Sequence, residues 1–223
     1  MNYFKYIAMR HLFSLIILLI TLQSCQDEVV TKTYTGDSQK AILDNMITRR
    51  AIRKFTPQNV SNAQIDTIMK YAIYAPSSLN KQPWQIRVVK NEQWLTELNN
   101  RFLKYAEGKT FQGSAANYKE PGFSIFHHAP VFIVIARDKN NPVSSLDCGI
   151  ILQNILLAAH ATGLGTCPLG TVVPVMNREE NKDLLAALNI PEDYEVAINI
   201  ALGYPAENPP VKERYTDKIK IIE

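Results

Sequence analysis

Apolar residues recur at helical spacing in two segments of the first third of the chain. The first comprises residues 42–47, follows the candidate caps Asp37 and Ser38, and predicts a helix that begins near residue 37. The second, at residues 61–72, opens with the Ser-Asn-Ala-Gln pattern of a capping box and continues with one apolar face. This helix should end before Pro76, because the residue that precedes a proline disfavours helical backbone.

Later segments alternate between strand and helix patterns. Strands are predicted where β-branched and apolar residues cluster, at residues 85–90, 130–136 and 195–202. Helices are predicted at residues 92–105, 145–162 and 177–188. The helix at 145–162 is apolar almost all round, which predicts burial at the centre of the domain or at a subunit interface, and Gly163 is placed to end it. Many helices with few strands indicate an α+β fold with a mixed sheet.

Residues 106–126 show neither helical nor strand periodicity. An irregular stretch of about 20 residues is unusual inside a compact domain and is often a binding loop or a lid. We therefore expect this segment to shape a ligand pocket.

The beginning of the chain differs in kind from the rest. Lys5 and Arg10 precede an apolar run at residues 12–22, which has the layout of a secretory signal. The run is short for a bilayer span, which needs about 20 apolar residues. The Leu-Gln-Ser-Cys sequence that follows ends at Cys25 and resembles the lipobox of bacterial lipoproteins, in which the cysteine is lipidated after cleavage.

These features predict a signal peptide at residues 1–24, a lipidated Cys25 with a polar tether to residue 36, and a single domain at residues 37–223. The protein would then be extracytoplasmic and anchored in a membrane by lipid, at the cell surface or in the periplasm. The alternatives are an uncleaved N-terminal anchor and an ordinary secretion signal in which the cysteine is incidental.

Composition and charge exclude some functions. Loss of Lys5 and Arg10 with the signal would lower the formal net charge from +3 to +1, so nothing argues for nucleic-acid binding. Cys148 and Cys167 show no spacing typical of a metal site. A single disulfide between them is open, although a buried free thiol is the commoner state for Cys148 in its apolar helical run.

Three arginines, Arg49, Arg50 and Arg53, follow the first predicted helix within five residues. Guanidinium groups donate forked hydrogen bonds that suit phosphate oxygens. Arginines at a helix C-terminus are also commonly solvated partners of the helix dipole, so this cluster is weak on its own.

Residues 75–84 concentrate hydroxyl and amide side chains between Pro76 and Pro83, which stiffen the backbone. Such a loop can offer donors and acceptors in fixed directions, as the pyrimidine edge of a flavin requires. The alternative is a surface turn in which Ser and Asn bond their own backbone. We expect Trp84 to pack in the core and hold the loop in place.

Together these motifs resemble the N-terminal signature of the FMN-dependent nitroreductase family, with R-R-x-I-R-K-F followed by A-P-S-S-x-N-x-Q-P-W. The central helix with Asp147, its end at Gly163, and the Gly203-Tyr204-Pro205 segment agree with that family. The resemblance implies a three-layer α/β/α fold with a mixed, mainly antiparallel sheet and a long central helix. It also implies a homodimer with two FMN sites at the interface.

Carried over by position, the resemblance implies which residues hold FMN. Arg49, Arg50 and Arg53 would surround the phosphate and the flavin edge, with Lys212 and Arg214 on the phosphate side. The residues expected to reach the flavin from the partner subunit are Pro76, Ser77, Ser78, Asn80 and Gln82. The backbone of Pro168, Leu169 and Gly170 would lie over the ring, in a segment that the sequence alone would assign to a turn. Ala51 stands where the family usually has serine, so only a backbone contact would remain there.

The resemblance therefore predicts an FMN-dependent oxidoreductase with no catalytic side-chain nucleophile and no metal. It would take a hydride from NAD(P)H and reduce nitroaromatics, quinones or similar planar acceptors in a ping-pong cycle. The alternative is a surface lipoprotein that binds flavin or another planar ligand without turnover. His127 and His128 are possible proton donors near the lid, although a solvent-facing or structural role is commoner for such a pair. Outside the cytoplasm the electron donor is open, because NAD(P)H is scarce there.

Overall fold

The structure, a computed structural model, describes residues 34–223. The expected signal peptide at residues 1–24, Cys25 and most of the tether lie outside the described residues. The chain divides into two units, Met1–Lys40 and Ala41–Glu223. The described part of the first unit is residues 34–40, which hold the beginning of the first helix, and the second unit holds the rest of that helix and the other described elements.

The helices in chain order are α1 (Gly36–Thr48), α2 (Asn62–Ala72), α3 (Glu92–Ala106), α4 (Ser144–Ala161), α5 (Val173–Met176) and α6 (Lys182–Ala186). The strands are β1 (Trp84–Val89), β2 (Val131–Asp138), β3 (Gly165–Leu169) and β4 (Tyr194–Gly203). Short 3-10 turns lie at Ser78–Asn80, Gly113–Ala115 and Glu179–Asn181. The expected α+β class is confirmed.

The four strands form one antiparallel sheet in the order β1-β2-β4-β3. Alternate residues of β2 enter two separate apolar clusters, Ile133 on one side of the sheet and Phe132 on the other. Helices α2 and α4 cover the first side, and α3 with α5 covers the second. Because helices cover both sides of the sheet, the protein has the expected three-layer arrangement, with α4 as its long central helix.

Local sequence patterns predicted the ends of several helices correctly. Ser61 and Gln64 form the predicted capping box at the beginning of α2. Gly163 has a φ of 79° and ends α4 with paired bonds from Gly163 N–H to His160 O and from Leu164 N–H to Ala159 O. Trp84 is buried in the core, as expected.

Two expectations were wrong. The Cys167–Gly170 turn is for the most part strand β3, because its backbone pairs with β4 from Gly165 opposite Gly203 to Leu169 opposite Asn199. Pro168 is accommodated because β3 is an edge strand, where one missing N–H is tolerated. The helix expected at 177–188 is broken, because Arg178 adopts extended backbone.

The side chain of Asn177 explains the break. It exchanges two hydrogen bonds with the backbone of Val196, at 2.8 and 2.9 Å, beside the bulge in β4. This pairing holds Asn177 against the sheet rather than in a helix.

The described helices include none that is both long and apolar enough to cross a bilayer.

Candidate functional site

The arginine cluster lies in a short extended segment that runs along the edge of the sheet. Helix α1 ends at Thr48, and Ala51 then pairs in parallel with Thr166 of β3. The Ile52 N–H donates to the Thr166 carbonyl at 2.9 Å. Gly165 permits this approach, because a Cβ there would lie 2.8 Å from Cγ1 of Ile52. The sheet edge therefore fixes the backbone between the arginines.

Arg49 is the member of the cluster with a buried, unsatisfied donor. Its Nη1 is buried, and no described residue accepts a hydrogen bond from it. Burial lowers the pKa of Arg49 below its usual range, and the nearby cations Arg50 and Arg214 lower it further. A buried guanidinium that lacks a hydrogen-bond acceptor destabilises the folded protein unless an anion binds it. This local surplus of positive charge fits a dianionic phosphate.

A small cavity of about 190 Å³ adjoins Arg49. Its lining combines the end of α1, the end of α4 and the segment after β4, and comprises Thr48, Arg49, Arg50, Ile52, His160, Gly163, Leu164, Gly165, Thr166, Pro205, Glu207 and Asn208. Arg50 donates to the carbonyls of Ile47 at 2.7 Å and Arg49 at 2.9 Å, so its guanidinium is held at the helix end. Burial and the two arginines lower the pKa of His160, which favours a neutral ring beside the cavity.

Glu207 anchors the next part of the arginine segment. One oxygen of its carboxylate accepts the backbone N–H groups of both Arg53 and Lys54, the latter at 3.2 Å. Because the two donors belong to consecutive residues, the carboxylate holds the backbone from which the Arg53 side chain extends. No sequence pattern pointed to Glu207, since the pairing joins residues far apart in the chain.

Arg53 helps to line a second cavity, of about 350 Å³, beside the irregular segment. Its lining mixes polar and apolar groups, and it comprises Arg53, Gly113, Ser114, Ala116, Asn117, Glu120, Pro121, Gly122, Phe123, Ser124, His127 and His128. The expectation that residues 106–126 shape a pocket is therefore consistent with the structure.

His127 and His128 both adopt left-handed backbone, with φ of 59° and 55°. Such a conformation is unusual for residues other than glycine and is often found at functional sites. The His127 ring bonds Ser114 at 3.0 Å between Nε2 and Oγ. Burial, followed by the nearby Arg53 cation, lowers the pKa of His127 to about 4, so its ring is neutral near pH 7.

The Ser77–Gln82 loop is held by its own polar groups. The Ser78 N–H donates to the buried Asp147 carboxylate, at 3.2 Å to Oδ1, and the Gln82 N–H donates to Ser77 Oγ at 2.9 Å. Asn80 accepts from the side chain of Gln82 at 3.2 Å. Leu79, Asn80 and Gln82 all have positive φ. These hydrogen bonds hold the loop in shape, and no sequence pattern pointed to Asp147 as its anchor.

The arginine cluster and the Pro76–Gln82 loop meet opposite ends of α4. The loop bonds Asp147 near the beginning of the helix, whereas Thr48 beside the arginines contacts His160 near its end, at 2.9 Å. At about 1.5 Å per residue these two positions lie roughly 20 Å apart along the axis. Within one chain the two halves of the expected site are therefore separate.

The remaining expected residues occupy the edge strand and the tail. The side chain of Leu169 is buried in the core and its backbone pairs with Asn199 of β4, whereas Gly170 is exposed at the strand end. Burial raises the pKa of the Cys167 thiol, and Cys148 and Cys167 are both free and buried. Arg214 lies close enough to lower the pKa of Arg49, while the backbone of Lys212 accepts from Arg214 at 2.9 Å.

Comparison with known proteins gives this arrangement a context. The profile of the nitroreductase family matches residues 46–204. A 4-nitrobenzoate reductase of Pseudomonas putida is 30% identical over 194 residues, covering 72% of this chain and 83% of its own. An NADPH-flavin oxidoreductase of Vibrio harveyi is 28% identical over 184 residues, covering 81% of this chain and 72% of its own.

Solved structures agree with the sequence comparisons. A nitroreductase with bound FMN from Desulfitobacterium hafniense superposes with a TM-score of 0.75 at 29% identity, covering 82% of this chain and 98% of that one. The family match spans the arginine segment, the Ser77–Gln82 loop and all four strands. The chain therefore belongs to the nitroreductase family.

Proposed function

We propose that this protein is an FMN-dependent oxidoreductase that uses NAD(P)H to reduce nitroaromatics, quinones or similar planar acceptors. The observation that carries the proposal is the buried Nη1 of Arg49, which lacks an acceptor among the described residues and lies near Arg50 and Arg214. A phosphate group would complete this site. Relatives named as NADPH-flavin oxidoreductase and 4-nitrobenzoate reductase support the reaction class.

Different residues of one chain would bind different parts of FMN. Arg49, Arg50 and Arg214 would neutralise the phosphate of FMN, and Arg53 would lie at the flavin edge. When bound, FMN would supply the redox chemistry of hydride transfer between donor and acceptor. The protein contributes position, positive charge and exclusion of water. Ala51 offers its backbone alone, since it has no hydroxyl.

We further propose that the active form is a homodimer. The Pro76–Gln82 loop is held about 20 Å along α4 from the arginine end, so a second copy is needed to bring such a loop to the arginines. Apolar side chains are also exposed in the single chain, with Ile47 at 70%, Tyr74 at 78% and Leu79 at 86%. The C-terminal tail adds Val211, Tyr215, Ile219, Ile221 and Ile222. Large exposed apolar surfaces are typical of subunit interfaces.

The location of the protein is a separate proposal. Cleavage before Cys25 and lipidation of its thiol would tether the domain to a membrane outside the cytoplasm. Substitution Cys25→Ser should release the protein into the soluble extracytoplasmic fraction, and fractionation with metabolic labelling by palmitate would measure this. Equal labelling of both forms would contradict the proposal.

The reaction is tested with the purified domain of residues 37–223. The protein should be yellow or become so with FMN, bleach with NADH or NADPH under anaerobic conditions, and recover its colour with a nitroaromatic or a quinone. Bound FMN that no donor bleaches would instead favour the alternative of a flavin-binding lipoprotein without turnover. A protein that does not bind FMN would contradict both functions.

A further inference from the structure

The last turn of helix α4 contributes a histidine to the cavity beside Arg49. His160 lines this cavity of about 190 Å³ together with Thr48, Arg49 and Arg50. An imidazole can be neutral or cationic near neutral pH, so its charge can respond to a charged ligand in the same cavity.

Contacts with helix α1 determine which nitrogen of the His160 ring carries the hydrogen. The Thr48 hydroxyl donates to the Asp44 carbonyl at 2.5 Å, and its oxygen lies 2.9 Å from Nε2 of His160. Because a hydroxyl has a single hydrogen, the Thr48 oxygen accepts from the N–H at Nε2. The neutral ring therefore has no hydrogen on Nδ1, which is the nitrogen that can take up an additional proton.

The charges around the ring favour its neutral form as long as no anion is bound. Burial lowers the pKa of His160 below its usual range, and the cations Arg49 and Arg50 lower it further. Arg214 of the tail adds positive charge beside Arg49. Glu207 is the carboxylate in the cavity lining, and one of its oxygens already accepts two backbone N–H groups. Repulsion by the arginines is thus the main effect of charge on the ring.

A phosphate group bound in this cavity would reverse that effect. A phosphate monoester carries about 1.5 to 2 negative charges at neutral pH, which offsets the repulsion by the arginines and favours a protonated ring. The end of α4 also favours a cation, because the helix dipole places partial negative charge there. A protonated imidazole donates from both nitrogens, so His160 keeps its bond to Thr48 and gains a donor at Nδ1.

We propose that His160 is a further residue of the phosphate site and that it takes up a proton when the phosphate of FMN binds. FMN would then bind more tightly at lower pH, because a group that gains a proton in the complex stabilises the complex as the proton concentration rises. The inference rests on the proposed function, because FMN is the ligand whose phosphate acts on the ring.

The test measures binding of FMN to the apoprotein in buffers free of phosphate. Isothermal titration calorimetry in two buffers with different ionisation enthalpies gives the number of protons taken up for each FMN. We expect uptake of about half to one proton near about pH 7, and a Kd that falls about three- to tenfold from about pH 8.5 to about pH 6.5. Riboflavin, which has no phosphate, should bind without proton uptake.

Two substitutions separate a proton-binding role from a structural one. His160→Gln keeps a donor for the Thr48 oxygen but cannot titrate, so it should abolish the proton uptake and flatten the pH dependence. His160→Lys is cationic throughout this range and should bind FMN more tightly than the wild type at about pH 8.5, again without uptake. Thr162→Ala, near the same helix end but outside the cavity lining, should behave like the wild type. The phosphate of FMN titrates near about pH 6 with every variant, so the differences between variants report on residue 160.

The outcomes separate this inference from the proposed function. Equal proton uptake by the wild type and His160→Gln would overturn the inference, as would riboflavin binding with the same uptake as FMN. Weaker FMN binding by His160→Gln with an unchanged pH dependence would give His160 a structural role and likewise overturn it. FMN that binds with proton uptake but is reduced by no donor would support the inference and contradict the proposed function.

Discussion

Arg49 occupies a position that is unfavourable for folding but suited to binding an anion. Burial without an acceptor destabilises a guanidinium, and the nearby Arg50 and Arg214 add like-charge repulsion. The folded protein keeps this arrangement although it is unfavourable without an anion. Such local strain is expected where a site is preorganised for a charged ligand.

Replacement of Arg49 tests the phosphate site directly. Arg49→Gln should weaken FMN binding by about 1.5–3 kcal/mol, the range for hydrogen bonds to charged groups, or about ten- to a hundredfold in Kd. Fluorescence titration of the apoprotein would measure it, with riboflavin as the matched ligand without phosphate. Equal losses for FMN and riboflavin would contradict the assignment.

His127 gives a prediction about acid stability. Its folded-state pKa of about 4 lies below the usual 6.5, chiefly because of burial, so the unfolded chain binds the extra proton more readily. The contribution to stability is complete above pH 6.5 and is lost as the pH falls towards 4. His127→Gln should therefore flatten the fall in the free energy of unfolding between these values, as measured by urea denaturation. Identical pH profiles for the two proteins would show that His127 does not cause it.

At the scale of elements, α4 connects the two halves of the expected site. Its buried Asp147 receives the Ser78 N–H near one end, and His160 contacts Thr48 near the other. The backbone at Leu79, Asn80 and Gln82 is left-handed, so the loop depends on such contacts to keep its shape.

Removal of the Asp147 carboxylate should loosen the loop without changing the arginine segment. Asp147→Ala should speed amide hydrogen exchange in residues 77–82, because Ser78 loses its charged acceptor. The neighbouring exposed position, Ser145→Ala, is the control on the same helix. Unchanged exchange in the Asp147 variant would show that other contacts hold the loop.

The sequence predicted which residues belong to the site better than it predicted which of them contact one another. The arginines were recognisable because their spacing and residue type are local properties of the chain. Glu207, Asp147 and Ser114 were not singled out as partners, because each acts through a contact with a residue distant in sequence. Common residue types at such positions carry no pattern that distinguishes them from surface residues.

At the scale of the whole molecule, the exposed apolar side chains of α1 and the tail have no role in a single chain. The described residues of α1 include none that is buried, although its apolar positions follow helical spacing. A helix of this kind gains stability when a second surface covers it.

A charge on α1 should therefore separate the subunits. Ile47→Glu should shift the protein from dimer to monomer in light scattering and weaken FMN binding, because the carboxylate would be buried at the interface. Gln93→Glu places the same charge on an exposed position of α3 and should leave the dimer intact. A wild type that is monomeric when loaded with FMN would contradict the dimer proposal.

The sequence by itself determined the local features of this protein. The capping box at Ser61, the stop at Gly163 and the β-branched strand at Val131–Asp138 follow from backbone and side-chain preferences within a few residues. The arginine segment and the irregular segment were recognisable for the same reason.

Only the tertiary structure decided which of these features meet. Strand β3 forms because β4 supplies its hydrogen bonds, and the helix expected at 177–188 breaks because Asn177 pairs with β4 instead. The distance between the Ser77–Gln82 loop and the arginines is set by the length of α4. These outcomes depend on hydrogen bonds and burial between distant segments, whose free energies are not encoded in any one stretch of the chain.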